Sequence, residues 1–287
     1  MGSFSILNNI SGLNAQNQLN LNNVSLSRTL LRLSSGKRIN SGADDAAGLQ
    51  IADSLRANTY ALNQAVRNAN DSIGVCQIAD GALQEITNLL TRAVTLSEEA
   101  ATETVDSTGR ASLNAEFTQI EAEIGRIAEQ TNFNGYDIFT TTGNNRVAGS
   151  LSVFVGDITG SSSISVTIDT ITTSGTQVTD VGGANLMTVD LTTQDAAATS
   201  LTAIKNALNG VSNMRAEVGA GMNRLQSAVA VLQTQSQNTA AAESVIRDAN
   251  FAEEVANLTK YQILAQSGMA ALAQANSSAT SVLSLLR

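Results

Sequence analysis

Both ends of this chain carry helical apolar stripes that nothing nearby in the sequence can cover. Phe251, Val255, Leu258, Ala265, Met269, Leu272, Ala279, Leu283 and Leu286 follow a three-four spacing, which places them on one helical seam. At the other end Ile6, Ile10, Leu13, Leu19, Val24, Leu30 and Leu33 recur in a segment otherwise rich in Asn and Ser. Terminal segments usually fray and are polar, so a stripe that reaches Leu286 requires a partner. The spacing predicts that the first and last segments pair, and that many copies then pack side by side.

Between the ends the same period continues. Residues 45–99 read as one long helix, with Leu55, Leu62, Val66, Ala69, Ile73 and Cys76 in phase, and Leu83, Leu90 and Val94 resuming after a shift near Asp80. At 1.5 Å per residue it spans roughly 80 Å. Cys76 lies on the stripe and reads as a buried structural thiol rather than a reactive one. Thr102 to Arg110 interrupt the pattern, and Leu113, Phe117, Ile120, Ile124 and Ile127 restore it up to an Asn134-Gly135 turn signal. A last inner helix is expected from about Ala196, carrying Leu201, Ile204, Leu208, Val211, Val218, Met222, Leu225, Val229 and Leu232 on its seam. Arg215 is the one misfit on that seam, and Gly219 and Gly221 weaken it locally.

The middle of the chain changes period. Leu151, Val153 and Val155 alternate with other residues, as do Ile164, Val166 and Ile168, and Gly160-Ser161-Ser162 lies between the two runs. That is a β-hairpin pattern. Thr172 to Thr193 are rich in Thr and Gly and read as loop or exposed strand on the surface, with one further strand around Leu186 to Leu191. The expected fold is mainly α: long antiparallel helices in a coiled-coil-like bundle, paired terminal helices, and a small β-hairpin region mid-chain. Its domains are 1–44 plus 246–287 for the terminal helices, and 45–245 for the bundle, with the hairpin and loop region at about 136–195.

Composition narrows the chemistry. The chain has no His and a single Cys, so His-based acid/base catalysis, His metal ligands and Cys-rich metal clusters are excluded. A formal charge of −9 argues against nucleic acid as a partner. No stretch is long and apolar enough to span a bilayer. Asp44-Asp45 and Glu98-Glu99 are adjacent acids, which do not converge on a helix; Asp44-Asp45 are better placed to cap the long helix. Gly219-Ala220-Gly221 lacks the strand-turn-helix setting of a phosphate loop. No catalytic, metal or cofactor site is expected. The first residues lack a basic region and a continuous apolar run, so no secretory signal is visible, which alone points to the cytoplasm.

Specific words then carry a resemblance. Residues 32–47 read RLSSGKRINSGADDAA, 67–71 read RNAND, 247–255 read RDANFAEEV, 262–276 read QILAQSGMAALAQAN and 282–287 read VLSLLR. FNGYDIF at 133–139 joins them. These resemble bacterial flagellin at both ends and in order, over about 4–135 and 201–287. The resemblance implies a short flagellin with little or no outer domain, a structural subunit of the flagellar filament and not an enzyme. Its helices 1–44 and 246–287 would form the innermost tube, and 45–130 with 196–245 the next. Ile10, Leu13, Phe251, Val255, Leu258, Met269, Leu272, Leu283 and Leu286 are the expected subunit-packing residues.

The implied partners are further copies of the chain, an export chaperone at the C-terminal helix, and hook-junction and filament-cap proteins. The implied location is extracellular, reached through the flagellar export channel without a cleaved signal peptide, which overrides the cytoplasmic reading. Arg92, Leu96 and Glu116 match family positions that contact an animal Toll-like receptor, although Thr91 and Thr95 depart from the family's usual Gln and Glu. The same stretch reads equally as a lateral packing surface. Ser and Thr in 159–202 are either acceptors for O-linked sugars, as in several flagellins, or bare polar surface. Two other roles remain open on the sequence: a flagellin-like hook–filament junction protein and a flagellin-like surface binding protein.

Overall fold

The computed structural model describes residues 9–140, 147, 149–156, 162–174, 177–186 and 188–285; for Ser174, Gln177 and 279–285 it describes the backbone alone. Five helices appear among them: α1 (Ile10–Ser35), α2 (Ala46–Ala100), α3 (Ser107–Gln130), α4 (Gln194–Arg247) and α5 (Phe251–Leu285). Three two-stranded antiparallel hairpins lie between α3 and α4 in sequence: β1 (Asn132–Phe133) with β2 (Tyr136–Asp137), β3 (Leu151–Phe154) with β4 (Ser163–Val166), and β5 (Ile171–Ser174) with β6 (Gln177–Val181).

The helix ends are set by short polar side chains, as the sequence requires. Asn9 accepts the Gly12 N–H at 2.9 Å, and Gly36 closes α1 in the left-handed region at φ 70°. Asp45 accepts the Gly48 N–H at 2.9 Å and Asp106 the Gly109 N–H at 2.7 Å, so an acid starts each of α2 and α3. The Arg110 guanidinium donates to the carbonyls of Ala100 and Thr102, which satisfies the end of α2 and fixes the turn into α3. Asn134 and Gly135, at φ 53° and 78°, form the tight turn of the β1–β2 hairpin.

The chain divides into two compact units, 1–57 with 238–287, and 58–237. Both divisions fall inside long helices, α2 and α4, rather than at the loops near 44 and 246 where the composition changes.

In the unit 58–237, α2 and α4 run antiparallel. Ser236 donates to Asn63, Arg215 to Asp80, and Ser97 to the Ala197 carbonyl, at 3.0, 2.8 and 2.9 Å. Their seams are buried: Leu62, Leu83, Ile86 and Leu90 from α2, and Ile204, Val211, Val218 and Leu225 from α4, joined by Phe117 and Ile124 of α3. Each such side chain contributes roughly 1.5–3 kcal/mol of transfer free energy. Cys76 is fully buried on that seam.

The hairpins complete this core. β3 and β4 pair Leu151 with Val166 and Val153 with Ile164, the register expected from the alternation. The segment after them departs from expectation. Of the loop and exposed-strand readings of 172–193 the strand holds but the exposure does not: β5 and β6 form a third hairpin, and among the described residues Val178, Val181, Ala184, Leu186 and Leu191 are buried in the core. The described residues of 186–191 include no strand, and the Val189 N–H donates to the Leu186 carbonyl at 3.0 Å. A bulge between Thr172 and Thr173 breaks the two-residue alternation, and polar Thr, Ser, Gln and Asp take the other positions, so the apolar face is thin in the sequence.

Gly210 of α4 and Gly182 after β6 make that docking close. A Cβ on Gly210 would lie 2.2 Å from the Gly182 carbonyl oxygen, and Gly182 itself sits at φ 61°. Gly221 meets Val166 in the same way, where a Cβ would come within 2.4 Å of a valine methyl. The glycine of α4 that looked like a weakness at 221 is a contact point.

Candidate assembly interface

The unit 1–57 with 238–287 is built on α1 and α5, which pack antiparallel. Asn9 donates to the Ala275 carbonyl at 3.1 Å, Asn22 to the Tyr261 carbonyl at 2.9 Å, and Arg32 meets Glu254 at 3.4 Å. The facing positions follow a heptad alternation. On α1 they are Gly12, Ala15, Leu19, Asn22, Leu26, Thr29 and Leu33, with Ser25 and Arg32 half-buried beside them. On α5 they are Glu254, Leu258, Tyr261, Ala265, Gly268, Leu272 and Ala275, with Asn257 half-buried beside them.

Small and polar residues dominate this seam, and they let the two backbones approach closely. A Cβ on Gly268 would lie 3.3 Å from Leu19. Asn22 is buried yet satisfied by a backbone carbonyl of the other helix, so it fixes register at little cost. The large aliphatic residues mostly lie elsewhere. Ile10, Leu13, Leu21, Val24 and Leu31 are exposed, and at 100° per residue they fall on the side of α1 opposite the seam. Ile10 is 61% exposed and Leu13 58%. On α5, Phe251, Val255, Ile263, Leu264 and Met269 are exposed, with Phe251 at 57% and Met269 at 54%.

Each terminal stripe expected from the sequence therefore splits in two. Leu19 and Leu33 face α5, Leu30 lies half-exposed at the edge of the seam, and Ile10, Leu13 and Val24 face away. Leu258, Ala265 and Leu272 face α1, whereas Phe251, Val255 and Met269 do not. Leu286 and the Leu283 side chain lie outside the described residues. The positions missed by a search for large hydrophobics are Gly12, Asn22 and Thr29 inside the seam, and Leu21, Leu31, Ile263 and Leu264 outside it. The heptad spacing of small residues was the available signal. An open groove of about 610 Å³ runs between the two helices, lined by Asn9, Ile10, Gly12, Leu13, Gln16, Leu272 and Asn276.

Where α1 and α5 join their neighbours, two loops are stitched together. The Arg38 N–H donates to the Arg247 carbonyl at 2.7 Å and the Ala249 N–H to the Gly36 carbonyl at 2.9 Å. Arg247 also pairs with Asp53 at 3.1 Å. Asp44 folds the loop after α1 by accepting the N–H groups of Ser41 and Asn40 and the Ser41 hydroxyl. The Ser41 backbone bond, more than any other contact, holds its carboxyl below the usual aspartate range.

In the other unit, Arg92 and Glu116 form an exposed ion pair at 2.7 Å between α2 and α3. Leu96 does not share that surface. It is fully buried, because α2 turns it onto the core seam with Ala93 and Ala100. Among the described residues no group of acids and Cys could hold a metal ion, and no helix is long and apolar enough to cross a membrane.

Comparison with known proteins follows this geometry. Residues 6–144 match the bacterial flagellin N-terminal helical region and residues 201–286 the bacterial flagellin C-terminal helical region. The chain is 37% identical to flagellin FlaB1 of Treponema pallidum, over 98% of this chain and 99% of that one. It is 37% identical to the flagellar filament 33 kDa core protein of Treponema phagedenis, and 36% to a flagellin of Halalkalibacterium halodurans, with the same coverage. Among solved structures, Bacillus cereus flagellin aligns with a TM-score of 0.50 at 28% identity, over 62% of this chain and 94% of that one. A putative flagellar hook-associated protein of Vibrio parahaemolyticus aligns with a TM-score of 0.56 over 71% of this chain and 99% of that one. At 15% identity it shares the fold alone, so the matches favour a filament protein over a junction protein.

Proposed function

The chain belongs to the bacterial flagellins, as a non-enzymatic structural subunit that assembles with its own copies into the extracellular flagellar filament, and on that premise we propose how its surfaces divide the work. The seam between α1 and α5 holds one subunit together. The outward stripes hold subunits to each other. The observation that carries this is the exposure of Ile10, Leu13, Phe251, Val255 and Met269 on a helix pair whose facing positions are taken by other residues. A half-exposed Leu or Met has roughly 1 kcal/mol still to gain on full burial, half of its usual transfer value. Leu258 and Leu272 act within the subunit; by sequence spacing Leu286 continues their heptad, and Leu283 falls one position past it, toward a neighbouring subunit.

In this reading 1–44 with 246–287 form the inner tube and 45–245 the surrounding one. An export chaperone covers the apolar face of α5 before assembly, since that face has no cover among the described residues. Export proceeds through the flagellar channel without a cleaved signal. Hook-junction and cap proteins meet the same terminal helices at the two filament ends. A host receptor would meet the Arg92–Glu116 pair, with Leu96 only holding α2 in place beneath it.

The test is a pair of substitutions, Leu13→Asp and Met269→Asp, at exposed positions of α1 and α5. Helicity and thermal unfolding of the monomer should change little, while pelletable filament should be lost. Normal filament yield from both variants would refute the division of surfaces.

A further inference from the structure

We propose that Glu121 is a proton-responsive latch that sets how firmly the β5–β6 hairpin is held on α3. Glu121 is buried, yet its side chain reaches out of α3 to β6 and accepts the Val178 backbone N–H at 3.0 Å. A second tie lies two turns along α3, where the Thr173 hydroxyl of β5 donates to Glu129 at 3.0 Å. The hairpin thus hangs on two carboxylates of one helix, and only Glu121 is buried.

Among the described residues no cation compensates its charge. None of the ion pairs among the described residues involves Glu121. The cations of the surrounding elements are engaged elsewhere or exposed: Arg92 pairs with Glu116, Arg126 with Glu123, Arg215 with Asp80, and Lys205 faces solvent. Its neighbours one turn away on α3 are Phe117, Thr118, Ile124 and Gly125, without a titratable group. From β6 comes a further acid, Asp180, which the bulge turns to the strand face opposite Val178, with its Oδ1 buried and unpartnered.

An isolated buried carboxylate favours its neutral form. Burial pushes the Glu121 carboxyl up, and the Val178 N–H pulls it only part of the way back. A raised carboxyl in the docked state means that docking takes up a proton. Docking is therefore strongest below the ordinary glutamate range, and weakens as pH rises through the raised value. The neutral acid keeps an oxygen for Val178, so protonation removes the buried charge without losing the bond.

Amide hydrogen exchange of the full-length monomer, corrected for intrinsic rates, reads the latch directly at Val178. Between about pH 4.5 and 8, on either side of a raised glutamate, Val178 protection should fall several-fold as pH rises. Glu121→Gln keeps an acceptor and cannot titrate, so its Val178 protection should be high and flat. Asp180→Asn should leave the wild-type slope in place. Glu121→Leu removes the acceptor, and protection should be low at every pH. A flat wild-type profile, or the same slope in wild type and Glu121→Gln, would overturn the proposal. So would equal protection in the Gln and Leu variants, or loss of the slope in Asp180→Asn.

Discussion

Arg215 Nε lies 2.8 Å from Asp80 Oδ1, beside the α2–α4 seam rather than in it, because Met214 and Ala79 fill the seam positions there. The phase shift expected near Asp80 is absent: Ala69, Ser72, Cys76, Ala79, Leu83 and Ile86 are buried at an unbroken three-four spacing. Both side chains are about one-third exposed, so the pair sits in solvent-softened electrostatics and its worth is small. Arg215→Ala should lower urea stability by about 0.5–1 kcal/mol. The double variant Asp80→Ala/Arg215→Leu should come close to wild type, since an apolar pair widens the seam at its edge where the ion pair contributed little. A double variant much weaker than either single one would mean that the pair also sets helix register.

How much of this was legible depended on side-chain size. The long helices, their ends and the β3–β4 hairpin were readable because large apolar residues mark them at a regular period: Leu83, Leu90, Val211, Val218, Val153 and Val166. The seam between α1 and α5 was not, because Gly12, Ala15, Thr29, Ala265 and Gly268 give no apolar signal and work by letting backbones meet. The large apolar residues that do stand out, Ile10, Leu13 and Met269, lie exposed. The β5–β6 hairpin was missed for a similar reason. Its anchoring rests on a bulged Thr-rich strand, a glycine pair and a buried Glu121, none of which has a period.

The glycines of α4 provide a graded test. Gly210, Gly219 and Gly221 lie on one helix, with the same intrinsic cost of about 1 kcal/mol each against Ala. Gly219 has nothing within 4 Å of a new Cβ, so Gly219→Ala should gain about 0.5–1 kcal/mol. Gly221→Ala must displace Val166, a side chain with little room to move in a filled core. Gly210→Ala drives a methyl into backbone at Gly182 and should cost about 1–3 kcal/mol net. Urea midpoints in the order Gly219→Ala, wild type, Gly221→Ala, Gly210→Ala would match these contacts. A stabilised Gly210→Ala would show that the hairpin does not rest against α4 there.

The Cys76 thiol is fully enclosed, and burial pushes its pKa up, so little thiolate exists and none of it is accessible. Thiol reagents should leave native protein untouched for as long as its core stays closed. Labelling should become rapid above the urea midpoint and should track unfolding by circular dichroism. Fast modification of the native monomer would place the thiol outside the α2–α4 seam.

Asp44 gives the loop between α1 and α2 an acid limit. Its carboxylate gathers the N–H groups of Ser41 and Asn40 and the Ser41 hydroxyl, with Arg32 at 3.9 Å as a minor partner. These contacts favour the charged form and hold its pKa below the ordinary value, which is about 3.9 for aspartate. The sign is opposite to that of Glu121. Stability from Asp44 is fully present above the ordinary aspartate value and disappears as pH falls through the depressed one. The Ser41 amide should therefore keep constant protection from neutral pH down to about 4, then lose it at lower pH. In Asp44→Asn the neutral amide offers a weaker acceptor at every pH, so Ser41 protection should start lower and stay level. Because the same loop carries the Arg38–Arg247 and Gly36–Ala249 backbone bonds, exchange at Arg38 and Ala249 should rise in step with Ser41 in the wild type. Acid loss at Ser41 alone, with Arg38 and Ala249 unaffected, would show that the stitched loops hold without the Asp44 turn.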